Sequence, residues 1–272
     1  MSEGRAPDLT SFSAMMAGLR ADGDAYWITL PEDWLQGRTA YGGLSAALCL
    51  AATLRAAPAL APLRSAQFAF IAPATGTLRI VPSVLRQGKS ASFVGVELFG
   101  DSGLAARATL CFGAERALAD AYGGLAFPAP ARADDCPAFY RFANQPNFMN
   151  HFDGRLAGGG APLSASARPE MLVWLRHRDT NEPDDLVRLI ALADALPPAA
   201  FVSFKDSAII STMAWSIEML DAKPSSPDGW WLVRGAADTV ARGYSTQSTV
   251  IWSPDTRPVL YARQTIAIFE KR

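Results

Sequence analysis

The chain carries an internal repeat. Ala106-Arg107-Ala108-Thr109 and Ala262-Arg263-Gln264-Thr265 match at an offset of 263 − 107 = 156 residues, and Arg86 and Arg242 stand at the same offset. The elements around these points recur in the same order. Residues 44–57 are rich in Ala and Leu, follow Gly42-Gly43 and end before Pro58, which reads as a helix. Strand-like runs follow at 65–71, 77–86, 90–99 and 104–112, separated by turn residues such as Gly100-Asp101-Ser102-Gly103. The second half gives a helix over 183–196, with Pro183 in its first turn, Asp184-Asp185 complementing the macrodipole, and Pro197-Pro198 stopping it. Strands follow at 207–220, 230–242, 245–252 and 258–269, and leading strands are expected at 26–30, 147–156 and 170–178. A helix followed by four long strands, twice, gives an α+β fold in which each antiparallel sheet covers a helix. The expected boundaries are 1–113 for the first unit, 114–146 for a Pro/Ala/Asp-rich linker and 147–272 for the second.

Composition narrows the function. Half of the 272 residues are apolar and 19% are charged, enough apolar surface for a large core. A formal charge of −1 offers no basic field for a polyanion, so a nucleic-acid partner is not expected. Two histidines and three well-separated cysteines provide no short-spaced ligand set, so no metal and no cofactor are expected. Cys49 and Cys111 sit in apolar runs, which suits a reducing, cytoplasmic setting better than a disulfide framework. Residues 1–10 contain no apolar signal-like run. The longest apolar stretch, 44–54, ends at Arg55, short of the roughly 20 residues a bilayer span needs, so no membrane partner is expected.

A few polar residues stand out against this background. Arg188 and Asp194 are the only charged side chains between 186 and 196, and six residues separate them, about 120° around a helix, so they cannot pair on it. Asp194 is therefore exposed, paired elsewhere, or held at a raised pKa. Gln264 shares a strand face with Leu260, Ala262, Ile266 and Ile268. A buried amide there needs partners, whether a neighbouring backbone group or a reacting molecule, and the first repeat has Ala108 at the matching position. By simple alternation Thr212 falls on the face of Ile210, Ala214 and Ser216, where a β-branched residue is also ordinary. Gly42-Gly43 is either a tight turn or a place where a substrate approaches the uncapped N–H groups of a helix start.

Other candidates carry less. Gly43-Leu44-Ser45-Ala46-Ala47 only loosely mimics a nucleophile elbow, and a serine hydrolase would want its histidine after the acid, whereas His151 and His177 both precede Asp194. The two histidines read as strand or rim residues, Gly158-Gly159-Gly160 lacks the Lys and Ser/Thr of a phosphate loop, and Trp230-Trp231 reads as core or interface.

The sequence resembles the bacterial acyl-CoA thioesterase II type and the broader thioesterase-like superfamily, whose fold is the double hotdog. The resemblance rests on Trp34…Arg38-Thr39-Ala40-Tyr41-Gly42-Gly43, on Asp194, on Ser211-Thr212 and on Arg263-Gln264, in that order. It implies two repeats of an antiparallel sheet wrapped around a central helix, and hydrolysis of acyl-CoA thioesters to free acid and CoA in fatty acid metabolism. It also implies that Asp194, Thr212 and Gln264 orient the attacking water, that Tyr41, Gly42 and Gly43 bind substrate, and that the chain forms a homodimer or higher homo-oligomer. The backbone N–H of Gly43 or of the next residue would stabilise the oxyanion. The family often has another residue, sometimes His, before the glycine pair, so Tyr41 either polarises the carbonyl or lines the pocket. Arg38, Arg242 and Arg263 are candidates for holding CoA. The rival readings are a non-catalytic acyl-CoA or lipid-binding hotdog, an enoyl-CoA hydratase, which would need an Asp–His pair, and a purely structural interaction domain.

Overall fold

The computed structural model describes residues 9–119, 122–140, 145–181 and 185–269. The first repeat contains α1 (Phe12–Gly18), β1 (Arg20–Asp22), β2 (Ala25–Thr29), the short hairpin β3 (Leu35–Gln36) and β4 (Thr39–Ala40), and α2 (Gly42–Ala56). Its long strands are β5 (Leu63–Phe70), β6 (Thr77–Gln87), β7 (Ala91–Gly100) and β8 (Gly103–Gly113). The second repeat contains β9 (Phe152–Gly159), β10 (Glu170–His177), α3 (Asp185–Leu192), β11 (Ile209–Met219), β12 (Trp231–Ala241), β13 (Tyr244–Trp252) and β14 (Pro258–Phe269). This is the expected α+β double hotdog.

Twelve strands form one antiparallel sheet in the order β1-β2-β6-β7-β8-β5-β11-β14-β13-β12-β10-β9. The halves join where β5 meets β11, with Phe68 opposite Trp215, and the order reads outward equivalently from that seam. Helices α2 and α3 pack against each other and against the sheet's inner face. The continuous buried core includes Leu44, Leu48, Phe68, Leu110, Leu189, Trp215 and Ile217. Helix α2 is buried from Gly43 to Thr53, so packing on all sides holds it rather than one amphipathic stripe. Its Arg55 donates to the carbonyls of Met16 and Leu19, satisfying backbone acceptors at the end of α1.

Several expectations need correction. The second helix ends at Leu192, not at 196, and its expected first residues Pro183 and Asp184 lie outside the described residues. After Leu192 the chain tightens into an i→i+3 turn, Ala195 N–H to Leu192 O, and Pro197-Pro198 forbids a restart. Asp194 therefore sits in the turn beyond the helix. Residues 147–151 form a 3-10 turn rather than the start of a leading strand. The described residues of the 114–146 segment also do more than link. Trp174 Nε1 donates to Ala131 O at 2.9 Å, Trp252 Nε1 donates to Leu125 O at 3.4 Å, and Phe127 packs on both indoles. Trp174, Leu232 and Trp252 point away from the main core, so without this segment their apolar surface would face water.

Candidate active site

Asp194 is where the two helices meet the sheet. It is half-buried: one edge opens onto internal cavities and protein atoms surround the rest. Gln264 Nε2 donates to Asp194 Oδ1 at 2.6 Å, and the backbone N–H of Gly43 is a second hydrogen-bond donor to the carboxylate. Burial raises the Asp194 pKa from 3.8 to about 7, and the two donors hold it back from rising further. A carboxyl group poised there exchanges a proton near neutral pH.

Gln264 is 7% exposed, and its neighbours on the same face, Leu260, Ala262, Ile266 and Ile268, are buried, as strand alternation requires. Thr212 reaches that inner face by a route simple alternation misses. Thr212 pairs with Ile266, but Ala214 pairs with Thr265, so Met213 is an extra residue bulged out of the ladder. The bulge reverses the alternation: Trp215, opposite Gln264, faces inward with Thr212, while Met213 is 45% exposed. The expected grouping of Thr212 with Ala214 and Ser216 is thereby corrected. Thr212 and Asp194 line the same two cavities.

The glycine pair permits a close approach, by the protein itself. A Cβ on Gly42 would lie 2.7 Å from Asp194 Oδ2, and one on Gly43 would collide with the Ala191 carbonyl and the Tyr41 ring. Helix α2 therefore crosses the end of α3 at a distance only glycine allows. Tyr41 is buried, stacks on Phe148 at 4.0 Å, and donates its hydroxyl to Ala191 O at 2.7 Å. Burial, with Asp194 nearby, holds its phenol well above the ordinary pKa. The Tyr41 hydroxyl thus satisfies a carbonyl at the end of α3, and its proton is committed there.

Two cavities meet at Asp194, sharing Gln36, Ile210 and Thr212. One, of about 240 Å³, runs past Thr39, Gly42, Ser45 and Ser211. The other, of about 410 Å³, is walled largely by Phe148, Met149, Leu163, Leu196, Phe201 and Ile266. Arg38 is exposed at the β3–β4 hairpin tip, between cavity residues Gln36 and Thr39. Arg242 is in the β12–β13 turn and Arg263 pairs with Asp238 at 3.2 Å; neither lines these two cavities.

Both histidines are structural in their contacts. His151 stacks on Trp34 with centroids 3.8 Å apart, and His177 Nε2 hydrogen-bonds Arg188 O at 2.9 Å. Neither lines either Asp194 cavity, so the Asp–His pair of the hydratase reading is not assembled there. Among the described residues no cluster of His, Cys, Asp and Glu could hold a metal.

One polar residue of the site escaped the sequence reading. Gln247 lies opposite Gln264 in the β13–β14 ladder, and its Nε2 donates to Gln264 Oε1. Its signal is faint, because the strand around it reads Ser245-Thr246-Gln247-Ser248-Thr249, polar on both faces, and the fixed 156-residue offset fails here. The separation 264 − 247 = 17 in the second repeat corresponds to 108 − 96 = 12 in the first, since the β13–β14 connection (253–257) is three residues longer than the β7–β8 connection (101–102) and each flanking strand runs one residue further.

The fold and this cleft define a double-hotdog protein with a carboxylate-centred site. Solved structures with the same fold include a hot dog protein of unknown function from Alicyclobacillus acidocaldarius, at 21% identity and TM-score 0.84, covering 95% of this chain and 98% of that one. An acyl-CoA thioesterase II from Mycobacterium marinum matches at 17% identity and TM-score 0.74, covering 94% and 98%. The tesB protein of Mycobacterium avium subsp. paratuberculosis matches at 16% identity and TM-score 0.77, covering 96% and 100%. No curated protein sequence matches. The family models describe "Acyl-CoA thioesterase N-terminal domain" over residues 30–113 and "Acyl-CoA thioesterase C-terminal domain" over residues 129–268. The chain belongs to this acyl-CoA thioesterase family and is a thioesterase.

Proposed function

We propose that the protein hydrolyses acyl-CoA thioesters to a free carboxylic acid and CoA, with Asp194, Thr212 and Gln264 orienting the attacking water. The observation that carries this reading is the 2.6 Å Gln264–Asp194 hydrogen bond, at the junction of two cavities that Thr212 also lines. The acyl chain occupies the larger apolar cavity. The pantetheine arm leaves through the smaller one, past the β3–β4 hairpin, where Arg38 meets the phosphates.

Asp194, ionised, takes a proton from a water held by the Thr212 hydroxyl and the Gln264 amide. The resulting hydroxide attacks the thioester carbon. Gly43's N–H faces Asp194, and the uncapped start of α2, where Gly42 lines the smaller cavity, turns its partial positive charge toward the developing oxyanion. Collapse of the tetrahedral intermediate breaks the C–S bond and expels the CoA thiolate, which takes the proton held by Asp194, regenerating the carboxylate and leaving the acid. A positioned base contributes about 10²–10⁴ in rate. Thiol release across short, medium and long acyl-CoAs tests the reading, with turnover expected on at least one chain length. Tight acyl-CoA binding without thiol release at any length refutes it in favour of a binding protein.

A further inference from the structure

We propose that Gln247 is a positioning residue: it fixes the rotation of the Gln264 amide so that Gln264 presents only N–H to Asp194. The inference rests on the proposed role of Asp194 but is read without turnover.

A side-chain amide has two ends, one that donates and one that accepts, and a half-turn exchanges them. If Gln264 turned over, its carbonyl would face the Asp194 carboxylate, disfavouring the charged form a base requires. Asp194 alone cannot prevent this, because its protonated form can donate to a carbonyl. The direction is set from the far end of a chain of hydrogen bonds. The backbone N–H of Ala199 is buried and donates to Gln247 Oε1 at 2.9 Å. A backbone N–H can only donate, so the facing Gln247 atom must be oxygen. The other Gln247 atom is then nitrogen, and it donates to Gln264 Oε1. Gln264 is left with nitrogen toward Asp194, at 2.6 Å. Each orientation is dictated by the one before it, and such chains of aligned dipoles strengthen one another.

The internal repeat points the same way. Across the sheet seam, one row of opposed residues reads Val96, Ala108, Phe68, Trp215, Gln264, Gln247. The seam falls between Phe68 and Trp215, so Ala108 corresponds to Gln264 and Val96 to Gln247. Val96 and Ala108 are both buried. The repeat that supplies Asp194 has two amides where the other has two apolar residues. A single amide would leave a buried polar group unpartnered; the pair, anchored on Ala199, leaves none.

Gln247→Met keeps the volume and removes both hydrogen bonds. The readout is the Asp194 titration, followed by carbon NMR on side-chain-labelled aspartate, alongside the pH profile of thioester hydrolysis. In Gln247→Met the Asp194 midpoint should rise by about one unit, with about a tenfold loss of kcat/KM at pH values below it. In a Gln264→Met background, Gln247→Met should shift the midpoint no further, because it acts through Gln264. An unchanged midpoint in the single variant, or an equal extra shift in the double variant, overturns the proposal. So does a loss of thermal stability alone. Should the variants not fold, the wild-type protein still decides: the side-chain N–H resonances of both Gln264 and Gln247 should titrate with the Asp194 midpoint, although Gln247 does not touch Asp194. A Gln247 amide indifferent to that titration refutes the relay. If the wild-type protein releases no thiol from any acyl-CoA, the functional reading fails while the NMR titration still tests the relay.

Discussion

Replacing Asp194 by Asn removes a half-buried carboxylate, and the effect on stability should depend on pH in a defined direction. In the folded protein Asp194 titrates near 7, against an ordinary 3.8. Between those values the folded chain keeps a proton the unfolded chain has lost, so raising the pH through this window lowers stability. At about 1.4 kcal/mol per unit over about three units, ionised Asp194 costs about 4 kcal/mol above pH 7. That figure is an upper limit, since the cavity leaves one edge of the carboxylate open to water. About 2 to 3 kcal/mol of it should develop between pH 5 and pH 8. Asn carries no charge but sets an N–H against one of two donors, Gln264 Nε2 or the Gly43 N–H. That mismatch costs about 1–3 kcal/mol at every pH. Urea unfolding of both proteins at pH 5, 6, 7 and 8 measures the difference. Asp194→Asn should gain on the wild type by about 2 to 3 kcal/mol as the pH rises from 5 to 8. A difference that stays flat across that range, or moves the other way, refutes the buried, high-pKa carboxylate.

Other residues give sharper local tests. Gly42→Ala places a Cβ 2.7 Å from Asp194 Oδ2, so thioester hydrolysis should fall by at least about tenfold; steady-state kinetics measures the loss and thermal melts show whether the fold survives. Tyr41→Phe removes the buried donor to Ala191 O and should destabilise by about 1–3 kcal/mol, with the pH midpoint of activity unchanged. Phe201→Ala enlarges the 410 Å³ apolar cavity, so the preferred acyl chain should lengthen in a chain-length series of thiol-release assays.

The repeat made the fold legible, because two copies of a helix-and-strands pattern leave few ways to bury both helices. The inward face of β14 was equally plain, since Gln264 sits in unbroken alternation among apolar residues. Simple alternation groups Thr212 correctly with Ile210 but wrongly with Ala214 and Ser216, because one extra residue, Met213, reverses a period of two without leaving a mark in composition. The helix end was overrun because Ala193 and Ala195 favour helix, and local propensity does not register the i→i+3 closure that turns Asp194 out of α3. The repeat leaves Gln247 unmarked, because a longer hairpin shifts the offset at that point. The glycine pair signals a close approach, but what comes close is the end of α3, a tertiary contact that no local pattern encodes.

The rate of acyl-CoA hydrolysis against pH, in the wild type and in Asp194→Asn, tests the central idea most directly. The account predicts a wild-type kcat/KM that climbs as Asp194 ionises, with a midpoint near 7, and a loss of about 10² or more in the variant at pH 8. Hydrolysis that ignores pH between 5 and 8, or that survives undiminished in Asp194→Asn, would contradict it.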